Sequence, residues 1–186
     1  MKHPVINVFA GARGPERHMT QSFEVGQALA KAGAGVVFGG GGKGSMGALA
    51  DGFLTSGPPE RLLGVMPHSL ARPELKHTHA PILSVATMEE RKSIFWSKSD
   101  GYLCLPGGLG SMDELFEALC LTKLGFIPVR PIVVLNSDGW FDWLRLGIIA
   151  MEQDGYIDDK RASLLQFANT ISEALALLGL GETNGG

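Results

Sequence analysis

Residues 102–114 read Tyr-Leu-Cys-Leu-Pro-Gly-Gly-Leu-Gly-Ser-Met-Asp-Glu. The apolar run Tyr102 to Leu105 predicts a buried strand, and Pro106, Gly107, Gly108, Leu109 and Gly110 an abrupt turn. Ser111 then opens a helix that reaches about Leu124, carries Leu115, Leu119 and Leu124 among its apolar positions, and stops at Gly125. A strand that feeds a helix through glycines is the repeating unit of an α/β protein. It also leaves main-chain N–H groups unpaired, with the positive end of the helix dipole behind them, which makes an anion site.

The same pattern extends outward in both directions. Towards the N-terminus, Val5 to Phe9 predicts the first strand, about Thr20 to Ala32 a helix with an apolar face, and Val36 to Phe38 a second strand. The second strand runs into Gly39, Gly40, Gly41, Gly42, Lys43 and Gly44 and then into a small-residue helix from about Ser45 to Thr55. Leu62 to Met66 and Ile82 to Val85 add strands around an irregular connection rich in Pro and His, Pro67 to Ala80. Thr87 and Glu90 have capping-box spacing ahead of a helix over Met88 to Lys98. Towards the C-terminus come a strand at Ile132 to Leu135, a turn at Asp138 and Gly139, a helix over Phe141 to Gln153 and a last helix capped at Thr170. The expected fold is therefore α/β, a Rossmann-like three-layer parallel sheet with helices on both faces. Residues 1–180 are expected to form one nucleotide-binding domain and 181–186 a loose tail.

Composition narrows the chemistry. The 186 residues carry 16 basic and 19 acidic side chains, a formal charge of −3, too weak a field to gather nucleic acid or an anionic membrane. No apolar stretch approaches the ~20 residues that span a bilayer, and Met1 to Phe9 lacks a signal-peptide core, so a cytoplasmic protein is expected. The two cysteines, Cys104 and Cys120, have no CxxC spacing and read as reduced thiols in apolar surroundings. The one close histidine pair, His77 and His79, lacks the i,i+4 spacing of a helical zinc site, and no metal is expected.

An anion must then be bound locally, by the glycine turns. Three or four amide donors, at roughly 1.5–3 kcal/mol for each hydrogen bond to a charged group, anchor a phosphate without a lysine. The alternative is that the glycines only make tight turns; two such runs at the carboxyl ends of separate strands argue against it. Neither run reads GxxxxGK[ST]. The turn after the first strand, Gly11-Ala12-Arg13-Gly14, is not GxGxxG, and Phe38-Gly39 stands where a dinucleotide fold offers an acid to the ribose, which disfavours an NAD-dependent dehydrogenase.

These residues resemble the Lonely Guy (LOG) family of cytokinin-activating phosphoribohydrolases. Its PGGxGTxxE motif is similar to Pro106 to Glu114, with serine for threonine. Its Arg-Lys pair after a methionine is similar to Met88-Glu89-Glu90-Arg91-Lys92, its strand to Ser99-Asp100-Gly101-Tyr102, and its first glycine loop to Gly39 to Gly47. The resemblance covers roughly Val5 to Ile157. It implies a homodimer that needs no cofactor and cleaves a cytokinin riboside 5′-monophosphate, or AMP, into free base and ribose 5-phosphate. Such proteins are often labelled lysine decarboxylases, but nothing in the sequence marks a Schiff-base lysine with a partner for a pyridoxal ring nitrogen.

Cleaving an N-glycosidic bond builds positive charge on the ribose and negative charge on the base, so the site needs a carboxylate near the sugar. Glu114, one turn past Ser111, is on the side of the phosphate-binding amides; its alternative is a capping box with Ser111. The resemblance implies catalytic roles for Glu114 and Arg91. It also implies substrate and phosphate contacts from Gly40, Gly41, Lys92, Gly107, Gly108, Leu109, Gly110, Ser111, Met112 and Asp113, and from the acid Glu74 after a one-residue shift. Ala12, Arg13, Cys120, Leu121 and Lys123 depart from the family pattern and are expected to shape the base pocket. A carrier of a phosphate-bearing cofactor, resembling the molybdenum-cofactor carriers, is the main rival, and a nucleotide-sensing module a third reading. Neither of these needs a catalytic acid.

Overall fold

The computed structural model describes residues 3–157 and 164–181; residues 182–186 of the expected tail lie outside it. Seven strands form one parallel sheet: β1 (Val5–Phe9), β2 (Gly35–Phe38), β3 (Leu62–Pro67), β4 (Ile82–Val85), β5 (Gly101–Cys104), β6 (Ile132–Leu135) and β7 (Leu165–Ala168). Their order across the sheet is β4-β3-β2-β1-β5-β6-β7. The chain winds outward from β1 to one edge, then returns to the other side of β1 and winds outward again. The reversal between β1 and β5 opens a crevice at their carboxyl ends, where α/β proteins place their ligands.

Among the described residues six α-helices cover the sheet: α1 (Glu16–Lys31), α2 (Gly44–Leu54), α3 (Met88–Lys98), α4 (Leu109–Leu124), α5 (Asp142–Gln153) and α6 (Ile171–Leu177). Alternate strand residues point to opposite faces and make two cores. Ile6, Val8, Val36 and Phe38 pack with Leu29, Leu49 and Phe53 of α1 and α2, whereas Phe9, Val37, Tyr102 and Cys104 pack with Phe95, Leu115 and Leu144 of α3, α4 and α5. This is the three-layer arrangement expected.

Helix α1 approaches α2 through glycines. A Cβ at Gly26 would lie 2.1 Å from the Leu49 carbonyl oxygen, and one at Gly52 2.0 Å from that of Phe23 and 2.7 Å from its carbonyl carbon. These neighbours are main chain and cannot step aside as a flexible side chain can. Gly52→Ala is therefore expected to cost about 3 kcal/mol, the upper end of ordinary overpacking, and to lower Tm by roughly 6–12 °C in a chain of this size. Calorimetry checks this; a shift of less than about 2 °C would show that the helices separate freely.

Two predicted caps form. Thr87 Oγ1 accepts from Glu90 N at 3.1 Å and Thr170 Oγ1 from Glu173 N at 3.1 Å, while the glutamates reach back to the amides of Ala86 and Asn169. Several expectations need correction. Helix α1 begins at Glu16, four residues before Thr20, because its first turn is polar and shows no apolar period. Strand β7 was not expected; Leu165–Ala168 is short and lies at the sheet edge. Helix α4 begins at Leu109 with Gly108 as N-cap, so Ser111 lies inside the first turn. Cys104 is buried as expected, and burial pushes its thiol well above the usual range, but Cys120 is exposed. No described helix is long and apolar enough to cross a membrane. Among the described residues no three His, Cys, Asp or Glu side chains group as a metal site would require.

Candidate active site

A cleft of about 620 Å³ opens at the carboxyl ends of β1, β2, β3 and β5, within the range typical of small-molecule sites. Its floor is Glu114 and Arg91. Helix α4 presents Glu114 one turn in from its N-terminus, helix α3 presents Arg91 from its first turn, and both residues are buried, at 7% and 8% exposure. Arg91 Nη1 meets Glu114 Oε1 at 2.7 Å. The guanidinium also donates through Nε to the Val65 carbonyl oxygen at 3.0 Å and lies 4.5 Å over the Phe95 ring, one helical turn along α3. Arg91 thus ties β3, α3 and α4 together. Burial pushes the Glu114 carboxyl above its ordinary range, and the Arg91 charge opposes this without cancelling it. Glu114 does not make the capping box with Ser111; its partner is Arg91.

Above this pair is the turn into α4. Met112 N makes the first helical bond, to Gly108 O, and among the described residues the amides of Gly107, Gly108, Leu109, Gly110 and Ser111 have no acceptor. Gly108, Gly110 and Ser111 line the cleft. The Leu109 side chain is 90% exposed and does not line the cleft. The turn closes tightly: a Cβ at Gly107 would lie 2.2 Å from Ser111 Oγ and 3.3 Å from Gly11 N. Gly107→Ala is accordingly expected to displace Ser111 and open the amide row. Losing one bond to a charged ligand would then weaken nucleotide binding about 10–150-fold. Calorimetric titration with AMP measures this; unchanged affinity would mean that the turn holds no phosphate.

The first glycine run differs from expectation. Gly41 N points to Met46 Sδ at 3.0 Å, Gly42 N donates to Leu75 O at 2.9 Å, and Gly40 O accepts from His77 N at 2.8 Å. Gly41 lines the cleft, but Gly40 is buried against Met66, where a Cβ would come within 2.7 Å of Cγ. The amides of Gly41 and Gly42 thus hold the connection after β3 in place. Met46, Met66, Leu70 and Leu75 make an apolar wall that the sequence did not reveal, since Leu70 and Leu75 lie in a connection that looked only irregular.

Other expected contacts lie elsewhere. Lys92 is outside the cleft, in a groove between α3 and α4, where it pairs with Asp113 at 2.8 Å and with Glu117. Burial opposes the Lys92 charge, but these two acids outweigh it and raise the ammonium above its ordinary range. Asp113 therefore serves Lys92 and not the cleft, and Met112 packs into the core beneath α4. Glu74 is exposed beside Leu75 and does not line the cleft. Of the departures from the family pattern, Ala12 and Arg13 line the cleft, Leu121 lines the groove, and Cys120 and Lys123 are exposed on α4.

A family model described as possible lysine decarboxylase matches residues 46–178. A Mycobacterium tuberculosis protein named cytokinin riboside 5′-monophosphate phosphoribohydrolase is 37% identical over 153 residues, 82% of this chain and 80% of its own length. The chain belongs to the LOG family. An Arabidopsis thaliana LOG relative with the same activity in its name is 28% identical over 176 residues, 93% of this chain and 81% of that protein. Among solved structures, the molybdenum cofactor binding protein of Rippkaea orientalis superimposes with a TM-score of 0.70 at 19% identity, over 96% of this chain and 97% of that one. The likeness to that carrier is one of fold. Within the LOG fold, the motif residues separate by position: Arg91, Gly108, Gly110, Ser111 and Glu114 meet in the cleft, and Lys92 and Asp113 turn away from it.

Proposed function

We propose that the protein hydrolyses the N-glycosidic bond of a nucleoside 5′-monophosphate, a cytokinin riboside monophosphate or AMP, to free base and ribose 5-phosphate. The observation that carries this reading is the buried Arg91–Glu114 pair directly below a row of unpaired amides. The amides hold the phosphate, which brings C1′ of the ribose over the carboxylate. As the bond to the base breaks, the ring gains positive charge and Glu114 stabilises it and orients the attacking water. Water adds to C1′ and a proton goes to the departing base. The Arg91 charge favours the ionised form of Glu114 against a burial that favours the neutral one. The names of the relatives support the same chemistry.

Among the described residues lining the cleft, Lys43 is the lysine and Glu114 the acid, and Glu114 is already engaged by Arg91. That leaves no acid for a pyridinium nitrogen, and the site does not fit pyridoxal-dependent decarboxylation. Chromatography of purified protein with AMP and with isopentenyladenosine monophosphate tests the proposal. Release of base that is lost in Glu114→Gln supports it; tight binding with no turnover in the unaltered protein would make it a carrier instead. The partner we assign is a second copy of the chain, for which exposed Leu124, Phe126 and Val129 supply apolar surface beside the α3–α4 groove. Light scattering at micromolar concentration reads a dimer mass if this is right and a monomer mass if not.

A further inference from the structure

Two more charges line the cleft, both positive. Arg13 follows β1 and Lys43 is the N-cap of α2; both are exposed, and among the described residues neither side chain has a hydrogen bond or an ion pair. Their backbones are in contact, since a Cβ at Gly44 would lie 2.5 Å from the Ala12 carbonyl carbon and 2.6 Å from Arg13 N. On the other side, a Cβ at Gly11 would lie 3.4 Å from Gly107 Cα. Arg13 is therefore attached between the amide turn of α4 and Lys43. With the Arg91–Glu114 pair self-neutralised, the lining side chains carry two uncompensated positive charges in a concave site. Adjacent like charges repel, and a concave wall concentrates their field on whatever anion enters.

We propose that Arg13 and Lys43 determine specificity in this cleft by gripping the phosphoryl oxygens that the Gly107–Ser111 amides leave free. The inference rests on the nucleotide-hydrolase reading and adds the charge of the ligand to it. A phosphomonoester carries close to two negative charges at neutral pH, which matches the two unpaired cations. The arginine fork suits two oxygens of one phosphoryl group, and the lysine adds a point charge.

The test compares AMP, ADP and adenosine in the unaltered protein and in Arg13→Ala/Lys43→Ala. The double variant is expected to raise KM for AMP at least about thirtyfold with kcat within about threefold, and to weaken adenosine at least about tenfold less than AMP. In the unaltered protein KM for AMP should also rise steeply as salt screens the cations. KM for AMP within about threefold of the unaltered protein would overturn the proposal, as would an equal loss for adenosine. ADP bound better than AMP, with the larger loss in the variant, would overturn the match to a single phosphoryl dianion. If the unaltered protein turns over no nucleotide, the hydrolase reading fails on its own. Calorimetry with AMP against adenosine still decides the cations: a tenfold selective loss in the variant supports them, and equal affinities sink them.

Discussion

Glu114→Gln is expected to lower kcat for base release by about 10²–10⁴, the usual contribution of a positioned acid or base, with little change in KM. The amide keeps the shape of the carboxylate and can still accept from Arg91 Nη1, now 2.7 Å from Oε1, so the cleft floor stays packed. What disappears is the negative charge that faces the ribose as its ring becomes cationic. Loss confined to kcat marks an interaction made in the transition state. The amides to which the proposal assigns the phosphate lie in the preceding turn and are untouched. Steady-state kinetics with AMP, alongside circular dichroism to confirm the fold, gives the answer. A variant that retains more than about a tenth of the activity would remove Glu114 from the chemistry.

Arg91→Met is expected to damage both stability and catalysis. Removing one partner of a buried ion pair costs about 3–5 kcal/mol, because the other charge is left without compensation. The variant also loses the bond to the Val65 carbonyl and the stacking over Phe95. Catalysis is expected to fall about 10²–10³ through lost electrostatic preorganisation. The pH profile separates this from simple loosening. Glu114 already titrates above its ordinary range because burial outweighs the cation. Arg91 is the main influence that pulls it back down, ahead of the Lys92 charge, so removing it raises the carboxyl further. Activity depends on the ionised carboxylate and rises with pH through its titration, so the acidic limb of kcat must move to higher pH in the variant. Reduced kcat with an unmoved limb would show that Arg91 acts only through packing.

Local signals made much of this legible before any coordinates. The turn at Gly107–Ser111, the cap at Thr87 and the stop at Gly125, which has a left-handed φ of 76°, depend on a few consecutive residues. Their chemistry therefore reads directly from the chain. Where the local rule had a competitor, the sequence could not choose. Ser111 and Glu114 have capping-box spacing as good as that of Thr87 and Glu90, yet Gly108 is the N-cap, so Ser111 lies inside the first turn and Glu114 pairs with the buried Arg91. Likewise Arg91 and Lys92 are neighbours in sequence. A 100° step per residue around α3 sends one to the cleft and the other to Asp113 and Glu117. The β7 strand escaped notice because an edge strand of four residues carries little periodic pattern.

The sequence by itself determined the α/β alternation, the glycine turn that leaves amides unpaired, and Arg91 and Glu114 as the residues to watch. Only the tertiary structure decided that these meet, that Gly41 and Gly42 of the first glycine run spend their amides on Met46 and Leu75, and that Arg13 and Lys43 border the same cleft. The reason is that backbone geometry is set by neighbours along the chain. Which side chains share a cavity depends instead on the order of strands across the sheet, and here on the reversal between β1 and β5.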